Sequence, residues 1–384
     1  MEPLRLGEMA KGGACVARLV GDDGGAGRIV FVRDGLPGET VRIEVTDTSR
    51  ASWWRGRVVE VLEPSPDRVE PVCPNAGRCG GCDWQHIALQ AQRQFKAGLV
   101  GGQMLRLAGQ DATVTVAAMK DDAGLGWRTR MRYLADGAAV GLRAPFSHDM
   151  VPLPAAGCPL AAPGGPTPPE LVVLAGDSPE VGVTVADSGV TVWRPARGVV
   201  SGEAVVEQRV HGRGFEVRAD GFWQVHPDAA GSLVDAVMDV LQPRAGEHAA
   251  DLYCGVGLFA GALVDAGATV RGVEADRAAV RLARRNVPGA EFLQGRVERT
   301  DWARPGRVDL VVLDPPRAGA GRPVVDAVSG AAPRAVAYVA CDEASLARDV
   351  AYFAARGYAL TSLRAFDIFP MTAHVECVAG FARS

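Results

Sequence analysis

No apolar run in this 384-residue chain reaches the roughly 18 residues needed to cross a bilayer, and the opening residues lack the apolar core of an export signal. A cytoplasmic protein with no membrane partner is the expectation. Excess positive charge is missing too: 41 Lys and Arg stand against 45 Asp and Glu, a net of −4. That excludes binding nucleic acid by bulk charge, so such a partner needs a local patch. With 48% apolar and 22% charged residues, the chain is neither disordered nor fibrous. Its eight cysteines are poor disulfide candidates in a reducing compartment, so their spacing is read as metal or catalytic chemistry.

The length exceeds the roughly 100 to 200 residues of one domain, and three segments are expected. Residues 1–64 alternate short apolar runs (Ala14 to Leu19, Arg28 to Val32, Val41 to Val45, Gly56 to Leu62) with turn signals such as Gly24-Gly25. That pattern predicts five short strands in a small closed β-barrel of the kind that offers a face to oligonucleotides. Glu63-Pro64-Ser65-Pro66 reads as a linker. Residues 65–225 hold a cysteine-rich stretch, a polar helix from about His86 to Leu107, and β-like signals broken by Gly and Pro, most heavily at Ala161 to Pro169. Within it, Arg93, Lys96, Arg106, Lys120, Arg128, Arg130, Arg132 and Arg143 outnumber Asp111, Asp121, Asp122 and Asp136, a candidate basic patch.

From 226 to 384 strands and helices alternate. Runs at His248 to Cys254, Thr269 to Glu274, Glu291 to Gln294, Val308 to Leu313 and Ala335 to Cys341 predict a doubly wound α/β sheet. Tyr358 to Phe369 and His374 to Phe381 leave no room for a helix between them and are expected to pair antiparallel at the sheet edge.

Asp251-Leu-Tyr-Cys-Gly-Val-Gly-Leu-Phe259 carries an apolar strand into a glycine-rich turn and a helix, where Gly255 lets a cofactor approach the backbone. Glu274 ends the next strand, placed to accept hydrogen bonds from ribose hydroxyls. The three-glycine dinucleotide fingerprint is absent, so adenosine without a pyrophosphate fits better than NAD, and S-adenosylmethionine is the natural candidate. Val308 to Leu313 delivers Asp314 to the carboxyl end of a buried strand, which stops at two prolines. Cys341 ends an apolar strand before a helix, where exposed amides are expected to lower its pKa and favour the thiolate. Glu376 sits inside an apolar strand, where desolvation raises a carboxyl pKa and suits it to general acid–base work. Cys73, Cys79 and Cys82, with Cys158 as a distant fourth, could hold zinc or an iron–sulfur cluster, and spacing alone does not separate the two. Cys15, Cys254 and Cys377 read as core residues.

Together these residues resemble the RNA 5-methyluridine methyltransferase family over nearly the whole chain. Gly-Gly-Ala-Cys-Val-Ala-Arg and Asp-Gly-Leu-Pro-Gly-Glu-Thr-Val look like its N-terminal TRAM barrel. Residues 73–86 are similar to the segment that binds [4Fe-4S] in cluster-bearing members, with Cys158 matching the fourth ligand. Phe222-Trp-Gln-Val-His-Pro227 resembles a segment whose glutamine, here Gln224, contacts S-adenosylmethionine. Leu-Asp-Pro-Pro-Arg-Ala-Gly, Cys341-x4-Leu-Ala-Arg-Asp and His-Val-Glu376 follow in the family's order. The resemblance implies a class I methyltransferase fold with Tyr253, Glu274 and Asp314 as cofactor contacts, Cys341 as nucleophile and Glu376 as base.

It also implies 5-methyluridine formation, with 23S rRNA favoured by the barrel and cluster segments and transfer RNA as the alternative; a monomer is the default expectation. The departures are Leu258, where the family often has Asn; Arg296, where it has Asn or Asp; and Ala340-Cys-Asp-Glu343, where it usually reads Ser-Cys-Asn-Pro. They leave open a catalytically decayed RNA-binding factor, against which the joint presence of Gln224, Glu274, Asp314, Cys341 and Glu376 argues. Asp342 is expected to disfavour the neighbouring thiolate.

Overall fold

A computed structural model of the chain describes residues 2–20, 26–120, 123–303 and 308–383. Gly24, Gly25, Asp121 and Asp122 lie outside the described residues. At the N-terminus β1 (Leu4–Arg5), β2 (Cys15–Val20), β3 (Ala26–Arg33), β4 (Thr40–Asp47) and β5 (Trp53–Glu63) form one sheet in the order β1-β4-β5-β3-β2. Its two ends meet: Gly7 N–H donates to Val16 O at 2.8 Å and Val16 N–H to Glu8 O at 2.9 Å, which curls the sheet into a barrel. Alternate residues point inward, so Cys15, Ala17, Val30, Val32, Val41 and Ile43 fill the interior with Leu6.

The middle of the chain begins with α1 (Leu89–Gln103), prolonged by a π-helical turn, Met104–Ala108, that stops at Gly109 in the left-handed conformation. A two-residue strand, β6 (Val116–Ala117), follows. Then β7 (Arg130–Ala135), β8 (Val140–Arg143), β9 (Met150–Pro152), α2 (Pro168–Ala175), β10 (Glu180–Ala186), β11 (Gly189–Arg194) and β12 (Gly198–Ser201) build an antiparallel sheet in the order β12-β11-β10-β7-β8-β9. The Pro- and Gly-rich run at 161–169 is loop only until Thr167, which caps α2: its N–H and hydroxyl both donate to Glu170 Oε2 at 2.8 Å. β13 (Val205–Val210) and β14 (Arg213–Arg218) form a separate ribbon.

The last part contains α3 (Ala229–Leu241), β15 (His248–Leu252), α4 (Leu258–Asp265), β16 (Thr269–Glu274), α5 (Arg277–Asn286), β17 (Glu291–Gln294), β18 (Leu310–Leu313), α6 (Gly321–Ala331), β19 (Ala335–Ala340), α7 (Glu343–Ala354), β20 (Tyr358–Phe366) and β21 (Glu376–Arg383). Its sheet runs β17-β16-β15-β18-β19-β21-β20-β6. β15 to β19 are parallel, and β21 is antiparallel to both its neighbours. Every residue of β18 and β19 is buried, as strands covered by helices on both faces require. β6 adds in parallel outside β20, so the antiparallel pair is flanked by a strand from the middle of the chain.

Part of the candidate basic patch lies at the surface, where Arg106, Lys120, Arg132 and Arg143 are exposed, but two of its cations turn inward. Lys96 is fully buried, with Nζ 2.5 Å from Asp367 Oδ1 and donating to Phe369 O at 2.9 Å. Arg130 Nη1 donates to the carbonyls of Ala219 and Gly221, both at 2.9 Å. Folding turns these cations inward because their head groups satisfy buried acceptors between segments distant in sequence.

Candidate active site

β15 and β18 are adjacent parallel strands from which the chain winds outward in opposite directions, and ligands bind beyond the carboxyl ends at such a switch point. There the backbone turns sharply: Tyr253 has φ 66°, Gly255 +54° and Gly257 +93°. A Cβ placed on Gly255 would meet nothing within 4 Å, so the turn faces open space that a cofactor can enter.

Three carboxylates ring this turn. Asp251, fully buried at the end of β15, accepts Ala260 N–H at 2.8 Å and ties down the first turn of α4. Glu274 Oε2 accepts Gly255 N–H at 3.1 Å and Oε1 accepts Asp276 N–H at 2.7 Å. Asp314 follows β18 and donates its N–H to Leu252 O at 3.2 Å. Desolvation first, and the Glu274 charge after it, push Asp251 up to about 8 and Asp314 up to about 7. Such crowding of acids beside an open turn suits a ligand that brings positive charge and hydroxyl donors.

Cys341 and Glu376 stand at the same end of the sheet. The last pair of the β19–β21 ladder is Ala340 with Cys377, so the residue after one and the residue before the other emerge together. Glu376 is 3% exposed, and burial holds its carboxyl well above the usual range, with Asp314 adding to the rise and Arg317 opposing it.

The thiol is not activated as its place before a helix implied. Burial pushes Cys341 up to about 11, Glu376 and Asp314 raise it, and Arg317 pulls it down. The helix end is taken by another group: Asp342, not the thiol, caps α7, its Oδ1 accepting Ser345 N–H at 2.8 Å. Asp342 also pairs with Lys11, with Nζ 2.5 Å from Oδ2.

Cys73, Cys79, Cys82 and Cys158 line one small cavity, with Gln85 and Pro154 beside them. Gly81 N–H donates to Cys79 Sγ at 3.3 Å and Gln85 Nε2 to Cys82 Sγ at 3.2 Å, bonds that favour thiolates. Burial pushes Cys82 up to about 12 and raises Cys79, and neighbouring thiols of the set add to both. Without a bound cation these two stay protonated at neutral pH. Among the described residues no group of three or more His, Cys, Asp or Glu is gathered closely enough to hold a metal ion. Gln224 is buried ahead of α3, and the carbonyl of the next residue, Val225, accepts from Thr129 N–H at 2.9 Å and from Thr129 Oγ1 at 2.8 Å.

Residues 222–333 match the family model described as Methyltransferase small domain. An uncharacterized RNA methyltransferase of Streptomyces avermitilis is 44% identical, covering 98% of this chain and 96% of its own. The 23S rRNA (uracil(1939)-C(5))-methyltransferase RlmD of Shewanella piezotolerans is 30% identical, covering 92% of this chain and 91% of its own. The chain belongs to the RNA 5-methyluridine methyltransferase family. Its class I methyltransferase fold agrees with that of a solved structure, the tRNA (uracil-54, C5)-methyltransferase of Pyrococcus abyssi, at a TM-score of 0.75 and 22% identity over 99% of this chain and 100% of that one.

Two of the departures from the family pattern differ in their surroundings. Leu258 is a buried first residue of α4, and Arg296 is exposed before a short 3-10 turn. Arg317 stands in the Leu-Asp-Pro-Pro-Arg-Ala-Gly motif, where the sequence by itself assigns it no role. It acts electrostatically on both Cys341 and Glu376, and its Nη2 lies 3.3 Å from His374 Nε2. Its position three residues after Asp314, past two prolines, was the available signal.

Proposed function

We propose that this methyltransferase makes 5-methyluridine in 23S rRNA, with Cys341 as nucleophile and Glu376 as base. The observation that carries the reading is the emergence of both residues from the same end of adjoining strands. Uracil C5 is a poor nucleophile, so the Cys341 thiolate adds to C6 and builds electron density at C5. S-adenosylmethionine, when bound, supplies a sulfonium methyl group that C5 accepts. Once ionised, as Arg317 favours, the Glu376 carboxylate takes the C5 proton, the C6–S bond breaks, and the thiolate leaves. Arg317 is the cation that favours both charged forms.

Gly255, Tyr253, Glu274, Asp314 and Gln224 would hold the donor. The open face at Gly255 fits the approach of an adenosine, and the Glu274 carboxylate retains lone pairs for ribose hydroxyls beyond its two backbone bonds.

Residues 1–64 would serve as a TRAM RNA-binding barrel, 65–225 as the cluster unit and 226–384 as the catalytic unit. Barrel strands carry Arg55 over Trp53 at 4.9 Å and Arg28 over Trp54 at 4.7 Å. Arg55 also lies 4.7 Å from the ring of Phe146, which is 78% exposed. Such an array offers guanidinium groups to phosphate and rings to unstacked bases. Cys73, Cys79, Cys82 and Cys158 would bind one [4Fe-4S] cluster, for which amide donors to the sulfurs and the space between them are suited. The target uridine must leave its stack to reach Cys341. Of the aromatics at 222 and 223, Phe222 is 74% exposed and is the one proposed to hold it, whereas Trp223 is buried against Phe215. Mapping 5-methyluridine in total RNA with and without the protein tests the activity and names the substrate. A change confined to transfer RNA would overturn the ribosomal assignment.

A further inference from the structure

The barrel reaches the catalytic groups through one turn. Ala10 N–H donates to Ala14 O at 2.8 Å and Gly13 N–H to Ala10 O at 3.0 Å, closing a tight hairpin between Met9 and Cys15. Gly12 and Gly13 have φ +84° and +82°, which a side chain would strain. Space adds a second constraint, since a Cβ on Gly13 would fall 2.8 Å from Ala373 Cβ and 2.8 Å from Trp84 Nε1. Trp84 Nε1 donates to Gly13 O at 3.1 Å. From this turn Lys11 extends to Asp342, the two side chains being 48% and 19% exposed. The turn therefore touches the residue after Cys341 and the residue three before Glu376.

Asp342 divides its carboxylate between two tasks. One oxygen caps α7 through Ser345 N–H, and the other accepts from Lys11 at 2.5 Å. We propose that Lys11 is a positioning residue: by holding Asp342 it fixes the start of α7, and with it Cys341, and offsets the acidic charge that this chain carries beside its nucleophile.

The inference rests on Cys341 being that nucleophile. Glu376, Arg317 and Asp314 face the thiol, and Lys11, Glu343 and His374 surround Asp342. A lone carboxylate at Asp342 would add to the two acids that already disfavour the Cys341 thiolate. A half-exposed ion pair contributes little to stability, so the consequence is read at the thiol rather than in folding.

The test is the rate of Cys341 alkylation by iodoacetamide on the full chain, followed by mass spectrometry of the Cys341 peptide from neutral to alkaline pH. Lys11→Met should react several-fold more slowly at neutral pH, with its profile moved to higher pH, and Lys11→Arg should behave as the wild type. In an Asp342→Asn background, Lys11→Met should have no further effect. Wild-type rates for Lys11→Met, or an equal slowing when Asp342 is already Asn, would overturn the proposal. With rRNA as substrate, Lys11→Met should lower kcat and leave KM unchanged. If the wild type methylates no uridine, the uracil reading fails while alkylation still decides the role of Lys11.

Discussion

Cys341 and Glu376 leave β19 and β21 side by side, one residue past the Ala340–Cys377 pair, and each carries a proton that burial makes hard to remove. Arg317 favours the charged form of both, so the two groups are electrostatically linked through one cation. Two acids in one cycle predict mutants that fail at different stages. Cys341→Ala should form no adduct and leave the methyl group on its donor. Glu376→Gln should still add and methylate but hold the product on the thiol, giving a protein–RNA adduct that survives denaturing electrophoresis. Normal turnover by Glu376→Gln, or 5-methyluridine made by Cys341→Ala, would sink the division of roles.

The pH dependence of the free thiol follows from its neighbours. With Cys341 pushed up to about 11, alkylation should rise through the alkaline range without a plateau at neutral pH. Removing a cation removes support for the thiolate, so Arg317→Met should move the profile to higher pH. Asp314→Asn removes a negative charge and should move it lower. Rate measurements across pH on the Cys341 peptide check both signs.

Glu274 holds Gly255 and is proposed to bind a ribose, so Glu274→Ala should weaken S-adenosylmethionine binding by about 1 to 3 kcal/mol, as for a lost hydrogen bond to a charged group. Calorimetry showing unchanged affinity would remove Glu274 from the site.

Anaerobically purified protein should be brown and carry about four irons per chain. Replacing Cys79 or Cys82 by Ser should bleach it. Colourless protein with one zinc would reject the cluster.

Lys96 and Asp367 are both fully buried, with Arg93 3.7 Å from the second Asp367 oxygen. Lys96→Met leaves that carboxylate short of its main partner and should cost about 3 to 5 kcal/mol in urea unfolding. Adding Asp367→Asn should recover much of the loss.

Much of this molecule is written locally. Strand ends at Glu274 and Gln294, the glycine turn at 255–257 and the helix starts at Arg277 and Glu343 follow from hydrophobic runs, capping residues and breakers within a few positions of one another. Gly255, Glu274, Asp314 and Cys341 could be named because each sits where a local pattern stops, and Glu376 because it is an acid inside an apolar run. What depends on distance in space could not be read this way. A helix start before which Cys341 sits implies a lowered thiol pKa, yet the cap belongs to Asp342, and burial beside Glu376 raises it. A run of cations implies a patch, yet Lys96 and Arg130 meet their acceptors in segments far along the chain. Sequence alone determined the alternation of strands and helices after residue 226 and the residues at the strand ends there, whereas the strands between 116 and 218 are not legible in it. Only the tertiary structure decided their charge states and partners, because desolvation and Coulomb interactions depend on what folding packs around a group, and that neighbourhood is assembled from residues as far apart as Lys11 and Asp342.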